Sequence, residues 1–169
     1  QNPFVQTIVL ERKQQALKYY ERVALVVTFS EEILQRLNFD KKQCVDKVLR
    51  SYISLGFISE VQNDVPHFLH DSFVEYFVAI YFSKNINNFN DTFADILFDT
   101  KYTNVRFFFD MLLAKNSEAH IAVLYKNYEL LQTYDEETLT HEEQGGRSVL
   151  HLISSWGKRH PRVKDTAVG

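Results

Sequence analysis

Apolar residues recur three or four positions apart from Ile8 to Phe29, at Leu10, Ala16, Leu17, Tyr20, Val23, Ala24 and Val27. That spacing predicts a helix with one buried face. Ser30 stands before Glu31-Glu32-Ile33-Leu34 as a helix cap, since its hydroxyl can accept from a free backbone N–H while the two glutamates favour the positive helix end. A second, short helix follows from this. A third is expected from Asp40, with Cys44, Val45, Val48, Leu49, Tyr52 and Ile53 as its stripe and Gly56 as its left-handed stop. The pattern then changes. Phe57–Val61 and His67–His70 are short β-compatible runs around the turn-forming segment Gln62–Pro66, which predicts a β-hairpin.

Ser72-Phe73-Val74-Glu75 matches a capping box and is expected to open a helix with Phe73, Tyr76, Phe77, Ile80 and Tyr81 on one face, ending in the Asn-rich stretch Asn85–Asn90. Three further helical segments are expected at Thr92–Asp99, Asn104–Lys115 and Ser117–Tyr134, rich enough in Phe, Leu and Tyr to pack as a bundle. Asp135–Glu143 is acidic and reads as a solvated short helix or linker. Gly56 is the sole glycine before Gly145, so the chain is expected to be mainly α. Three helices followed by a hairpin is the element order of a winged helix-turn-helix. The expected organisation is a winged-helix domain over 1–71, a helical domain over 72–134, an acidic linker over 135–145 and a different unit over 146–169.

Charge narrows the range of partners. Lys and Arg number 19 against 22 Asp and Glu, a net charge of −3. Such a chain carries no field that would draw in nucleic acid or an acidic membrane surface. The longest apolar stretch, Phe73–Phe82, is interrupted by Glu75 and falls short of the ~18 residues a span needs. A lone cysteine, Cys44, makes no internal disulfide and suits a reducing compartment, so the expected location is cytoplasmic. The opening Gln-Asn-Pro carries no signal region, and the chain is read as a piece of a longer protein.

Two segments carry resemblances. Phe68-Leu69-His70-Asp71-Ser72-Phe73-Val74-Glu75-Tyr76-Phe77-Val78-Ala79 resembles the signature of NACHT-type signalling NTPases at the join of the winged helix and the next helical domain, with Val74 where many members carry Gln. This resemblance covers about Ile8 to Tyr134. Gly146-Arg147-Ser148-Val149-Leu150-His151-Leu152-Ile153-Ser154-Ser155-Trp156-Gly157 is similar to the first half of an ankyrin repeat, with Ser for Thr, Val149 for the helix-starting Pro, and Ile153 for a smaller Ala. Together they imply the junction of a NACHT–ankyrin receptor-like protein. Further repeats are expected to follow, because a lone repeat cannot bury its own faces.

The candidate chemistry is sparse. No Gly-x-x-x-x-Gly-Lys-Ser/Thr or Gly-x-Gly-x-x-Gly occurs, so no segment is expected to hold a nucleotide by backbone amides, and this piece is read as non-catalytic. The NACHT resemblance implies that His70 contacts the phosphate of ADP bound on a separate nucleotide-binding domain, with ADP or ATP as cofactors of the longer protein. The alternative role of His70 is to tie the wing to the next helix. His67 and His70 fall short of a metal site, since residues three apart on a strand point to opposite faces and two imidazoles do not fill a zinc shell. Cys44 reads as a small buried hydrophobe, and His151 as a structural hydrogen-bonder with Ser148. A DNA-binding reading of Asp40–Tyr52 meets ten basic against ten acidic side chains over 1–85, where counterion release needs an excess of positive charge. The expected function is a regulatory lever that couples nucleotide state to partner binding, the ankyrin array serving protein partners. A helical scaffold without a working switch and a winged-helix DNA module are the alternatives.

Overall fold

The computed structural model describes residues 3–40, 56–62, 65–88 and 91–157. Over these residues the chain is mainly helical, with one two-stranded antiparallel sheet. The helices are α1 (Pro3–Thr28), α2 (Glu31–Arg36), α3 (Asp71–Lys84), α4 (Asp91–Phe98), α5 (Thr103–Ala114), α6 (Glu118–Leu124), α7 (Tyr128–Leu131), α8 (Glu136–Thr140) and α9 (Val149–Gly157). The strands are β1 (Ile58–Gln62) and β2 (Val65–Phe68). The helix expected between Asp40 and Gly56, with Cys44 and the candidate recognition face, lies outside the described residues. Gly56 itself has φ +87°, the left-handed conformation expected of it.

Two compact units divide the chain, Gln1–Phe109 and Asp110–Gly169, the division falling inside α5. It coincides with none of the changes in composition at 71/72, 134/135 and 145/146.

In the first unit α1 packs along α3. Ala16, Tyr20, Val23 and Ala24 are buried as the periodicity predicts, together with Tyr19, Glu21 and Leu25. Leu10, Leu17 and Val27 are exposed instead. Periodicity specifies an apolar face but not how far along a helix a neighbour covers it. Ser30 caps α2 as expected, its hydroxyl accepting from the Ile33 amide.

The hairpin forms with corrected ends. β2 begins at Val65 and contains Pro66, both of which the sequence assigns to the turn. Each strand of a two-stranded sheet is an edge, where the missing proline N–H can be tolerated. Val61 pairs with Pro66 and Gln62 with Val65, while Ser59 bulges between the Ile58–Phe68 and Glu60–His67 pairs and donates its hydroxyl to the His67 carbonyl at 3.0 Å.

α3 departs furthest from the expected single stripe. Phe77, Val78, Ala79 and Phe82 are buried, whereas Tyr76 is exposed and Phe73 and Ile80 are half-buried. At about 100° per residue the buried set covers roughly 200° of the helix circumference. Two aromatic groups flank it. Phe77 stands 5.2 Å from Tyr20, 5.4 Å from Phe57 and 6.1 Å from Phe68, while Phe82 lies 4.6 Å from Phe93 and 6.1 Å from Phe29. A helix with neighbours on two sides reads as near-continuous hydrophobicity, which hides the phase of either stripe.

In the second unit the segment Ser117–Tyr134, expected as one helix, is two. α6 ends at Leu124 with Tyr125 as its C-cap, Lys126 turns the chain at φ +57°, and Asn127 restarts it as the cap of α7, its side chain accepting from the Leu130 amide. The acidic stretch contains the exposed short helix α8, capped by Asp135.

Candidate functional site

His70 sits where β2 gives way to α3. The Leu69 amide donates to the Phe57 carbonyl at 3.0 Å, prolonging the strand pairing by one bond, and His70 then adopts extended backbone (φ −153°, ψ 143°) as the cap of α3. Its Nδ1 accepts from the Ser72 amide at 3.0 Å and meets the Ser72 hydroxyl at 2.6 Å. The expected capping box is therefore corrected. The helix starts at Asp71, and the capping acceptor is the imidazole of His70, with Ser72 inside the first turn. An imidazole can play this part because its unprotonated nitrogen is a good acceptor, as a serine or aspartate oxygen would be at the same place.

The cap has a chemical consequence. A ring nitrogen that accepts a backbone N–H bears no proton, so the neutral ring carries its proton on Nε2. His70 is exposed, and Nε2 has no hydrogen-bond partner among the described residues. The ring thus offers one oriented N–H donor to its surroundings. His67 is separate from it. It lies on β2 opposite Glu60, whereas His70 lies past the end of the strand, so strand alternation does not govern the pair as the sequence argument assumes. No group of three or more His, Cys, Asp or Glu able to hold a metal ion is present among the described residues.

Beside the cap an open cleft of about 350 Å³ is lined by Val27, Pro66, His67, Phe68, Asp71, Val74 and Glu75. Its apolar lining is Val27, Pro66, Phe68 and Val74, and its polar groups are two carboxylates and an imidazole. Glu75 is partly engaged, accepting from the Asn104 amide group at 2.9 Å. Val74 contributes only apolar wall. Further along the same helix Lys84 pairs with the buried Glu21 of α1, tying the far end of α3 in place. Burial raises the pKa of Tyr81 nearby, with Arg22 opposing and Glu21 adding to the shift.

The second unit holds a polar network that sequence reasoning missed. Asp110, 1% exposed, forms an ion pair with Arg147 at 2.8 Å and accepts from the Trp156 indole at 2.7 Å. Arg147 donates from Nε to Glu143 at 2.8 Å, and Glu143 also accepts from the Gly145 amide at 2.9 Å. Burial works against the Arg147 charge, but Asp110 and Glu143 outweigh it and hold the guanidinium above its ordinary range. His120, fully buried, meets the Ser117 hydroxyl with Nδ1 at 2.6 Å and the Arg147 carbonyl with Nε2 at 2.9 Å. One available signal was Ser117-x-x-His120, the same spacing as Ser148-x-x-His151. At the latter pair the structure shows the hydrogen bond expected of it, with His151 Nδ1 3.1 Å from both the Ser148 amide and its hydroxyl.

No family model, curated protein or solved structure matches this chain. Among the described residues no helix is long and apolar enough to cross a membrane.

Proposed function

We propose that this chain is a non-catalytic regulatory segment of a NACHT–ankyrin signalling NTPase, in which His70 senses the nucleotide held by a separate domain. The observation that carries the reading is the cap: with Nδ1 committed to Ser72, the Nε2–H is fixed as a donor at the exposed junction of hairpin and helix. In the closed, ADP-bound state that donor meets a phosphate oxygen, whose negative charge strengthens the bond. Exchange of ADP for ATP withdraws the contact and shifts the population toward an open, oligomerising state. The region from Gly146 begins the ankyrin part, which serves protein partners. In this reading hairpin and flanking helices form the winged helix, and the protein is cytoplasmic.

His70→Asn tests it in the longer protein. Asparagine is among the best helix caps, so the fold keeps its α3 start while the Nε2 donor is lost. Charge-assisted bonds are worth ~1.5–3 kcal/mol, so ADP should dissociate roughly 10- to 100-fold faster and oligomers should form without stimulus. An unchanged ADP off-rate would leave His70 as a helix cap and nothing more.

A further inference from the structure

The cleft beside the hairpin gathers two carboxylates of one sign. Asp71 and Glu75 stand four residues apart on α3, on the face that also brings Val74 to the cleft. Like charges at that spacing repel each other and work against the helix. Asp71 in the first turn is favoured by the helix dipole, but Glu75 lies a turn further in, where the dipole gives little return. Nothing described offsets them. Neither carboxylate forms an ion pair among the described residues. Asp71 has no hydrogen-bond partner there either, and Glu75 has only the Asn104 amide group, which holds it in place without cancelling its charge. A local conflict of this kind marks a place where something other than folding sets the residues.

We propose that the cleft is a docking site for an arginine side chain carried by a protein partner. A metal ion does not suit it: no three His, Cys, Asp or Glu converge on one point among the described residues, and a space of about 350 Å³ falls in the range of organic ligands. An organic cation with an apolar stem matches both kinds of surface, the stem lying against Val27 and Val74 while the head meets the carboxylates. Of the two basic side chains, arginine fits better. Its planar fork can bond two carboxylates at once, it sheds water more readily than an ammonium, and its flat face can stack on a ring such as Phe68. A polypeptide is the source because the α-carboxylate of free arginine would meet the repulsion of Asp71 and Glu75, whereas an amide in a chain is uncharged. The inference does not rest on the nucleotide reading, since His70 is not among the lining residues.

The test titrates the 169-residue chain with an N-acetylated, C-amidated Ala-Ala-Arg-Ala-Ala peptide and follows the backbone amide NMR shifts of Phe68, Val74 and Glu75. The expected result is a saturable shift at all of them, with binding about tenfold tighter than for the same peptide carrying citrulline, the uncharged isostere. The lysine peptide should bind about threefold more weakly than the arginine one. Asp71→Asn and Glu75→Gln should each weaken the arginine peptide roughly five- to tenfold. Glu60→Gln, which removes a carboxylate of β1 outside the cleft, should leave the affinity unchanged. Four results overturn the inference. They are no saturable shift at ~10 mM peptide, citrulline or lysine peptides binding as tightly as arginine, agmatine binding as tightly as the peptide and so naming a small molecule as the ligand, or an affinity unmoved by both α3 substitutions. None of these measurements reads nucleotide retention, so failure here leaves the His70 reading standing.

Discussion

Asp110→Ala removes the acceptor on which two distant parts of the second unit converge. The carboxylate is 1% exposed and holds both the Arg147 guanidinium and the Trp156 indole N–H. Truncation leaves the indole N–H unsatisfied, at about 1–3 kcal/mol, and strips one of two counter-charges from a guanidinium whose side chain is 29% exposed. Breaking a buried pair by deleting one partner costs ~3–5 kcal/mol in full. Glu143 still compensates Arg147, so a total of about 3–4 kcal/mol is expected. A unit of about 60 residues has roughly 3–9 kcal/mol of stability in all, so the variant should be marginal at 25 °C. Trp156 is the chain's single tryptophan and belongs to this network, so its fluorescence in a urea titration reports on the second unit. With a urea slope of ~1 kcal/mol/M the fluorescence midpoint should fall by about 3 M or leave no transition. Asp110→Asn should fall between, since its amide oxygen still accepts from the indole. A midpoint within 0.5 M of wild type for Asp110→Ala, read against the expected slope of ~1 kcal/mol/M, would show that the network contributes nothing to stability.

Phe77→Ala empties a site 2% exposed and ringed by Tyr20, Phe57 and Phe68, so a loss of ~3–5 kcal/mol is expected in a circular-dichroism melt. A shift in Tm below two degrees would refute it. Asp135 caps α8 and is held below the usual carboxylate range by the Thr138 side chain and amide. Its depressed folded pKa means that the stabilisation is present above the ordinary aspartate value and is lost as pH falls through the lowered one. Thr138 amide exchange and the Asp135 carboxyl shift, followed by NMR from pH 6 to pH 2, should therefore change together only at the acid end. Finally, the chain should bind neither duplex DNA nor ATP measurably, since its basic and acidic residues nearly balance and it lacks a phosphate loop. Anisotropy titration showing micromolar DNA affinity that weakens steeply with salt would favour the DNA-module alternative.

How much of this the sequence disclosed depends on where the information resides. Local signals read well: Ser30 as a cap, Gly56 as a left-handed stop, the hairpin, and the helices at 91–98 and 103–114. Burial read poorly in α3, because a helix packed on two sides shows no clean stripe, and in the first half of α1, because an apolar face says nothing about its cover. The split between α6 and α7 rests on Lys126 in a conformation that glycine or asparagine usually marks. His70 was legible as a residue of interest from its neighbours. Its capping role was not, since serine two positions on is the commoner cap. Asp110 and Arg147 could not be paired from sequence, because nothing local links residues so far apart.

That separation has a consequence for how the second unit is made. Asp110 and Trp156 are 46 residues apart, and the ribosome adds ~5–20 residues per second, so the carboxylate waits roughly 2–10 s for its indole partner. During that interval His120 also lacks the carbonyl of Arg147. The nascent segment carries an acid and an imidazole destined for burial, and neither can be buried cheaply before its partner exists. Closure of this unit therefore waits for Arg147 to emerge and is completed by Trp156. Any ribosome pause or premature stop between Asp110 and Trp156 should release a chain that chaperones and proteases treat as unfolded.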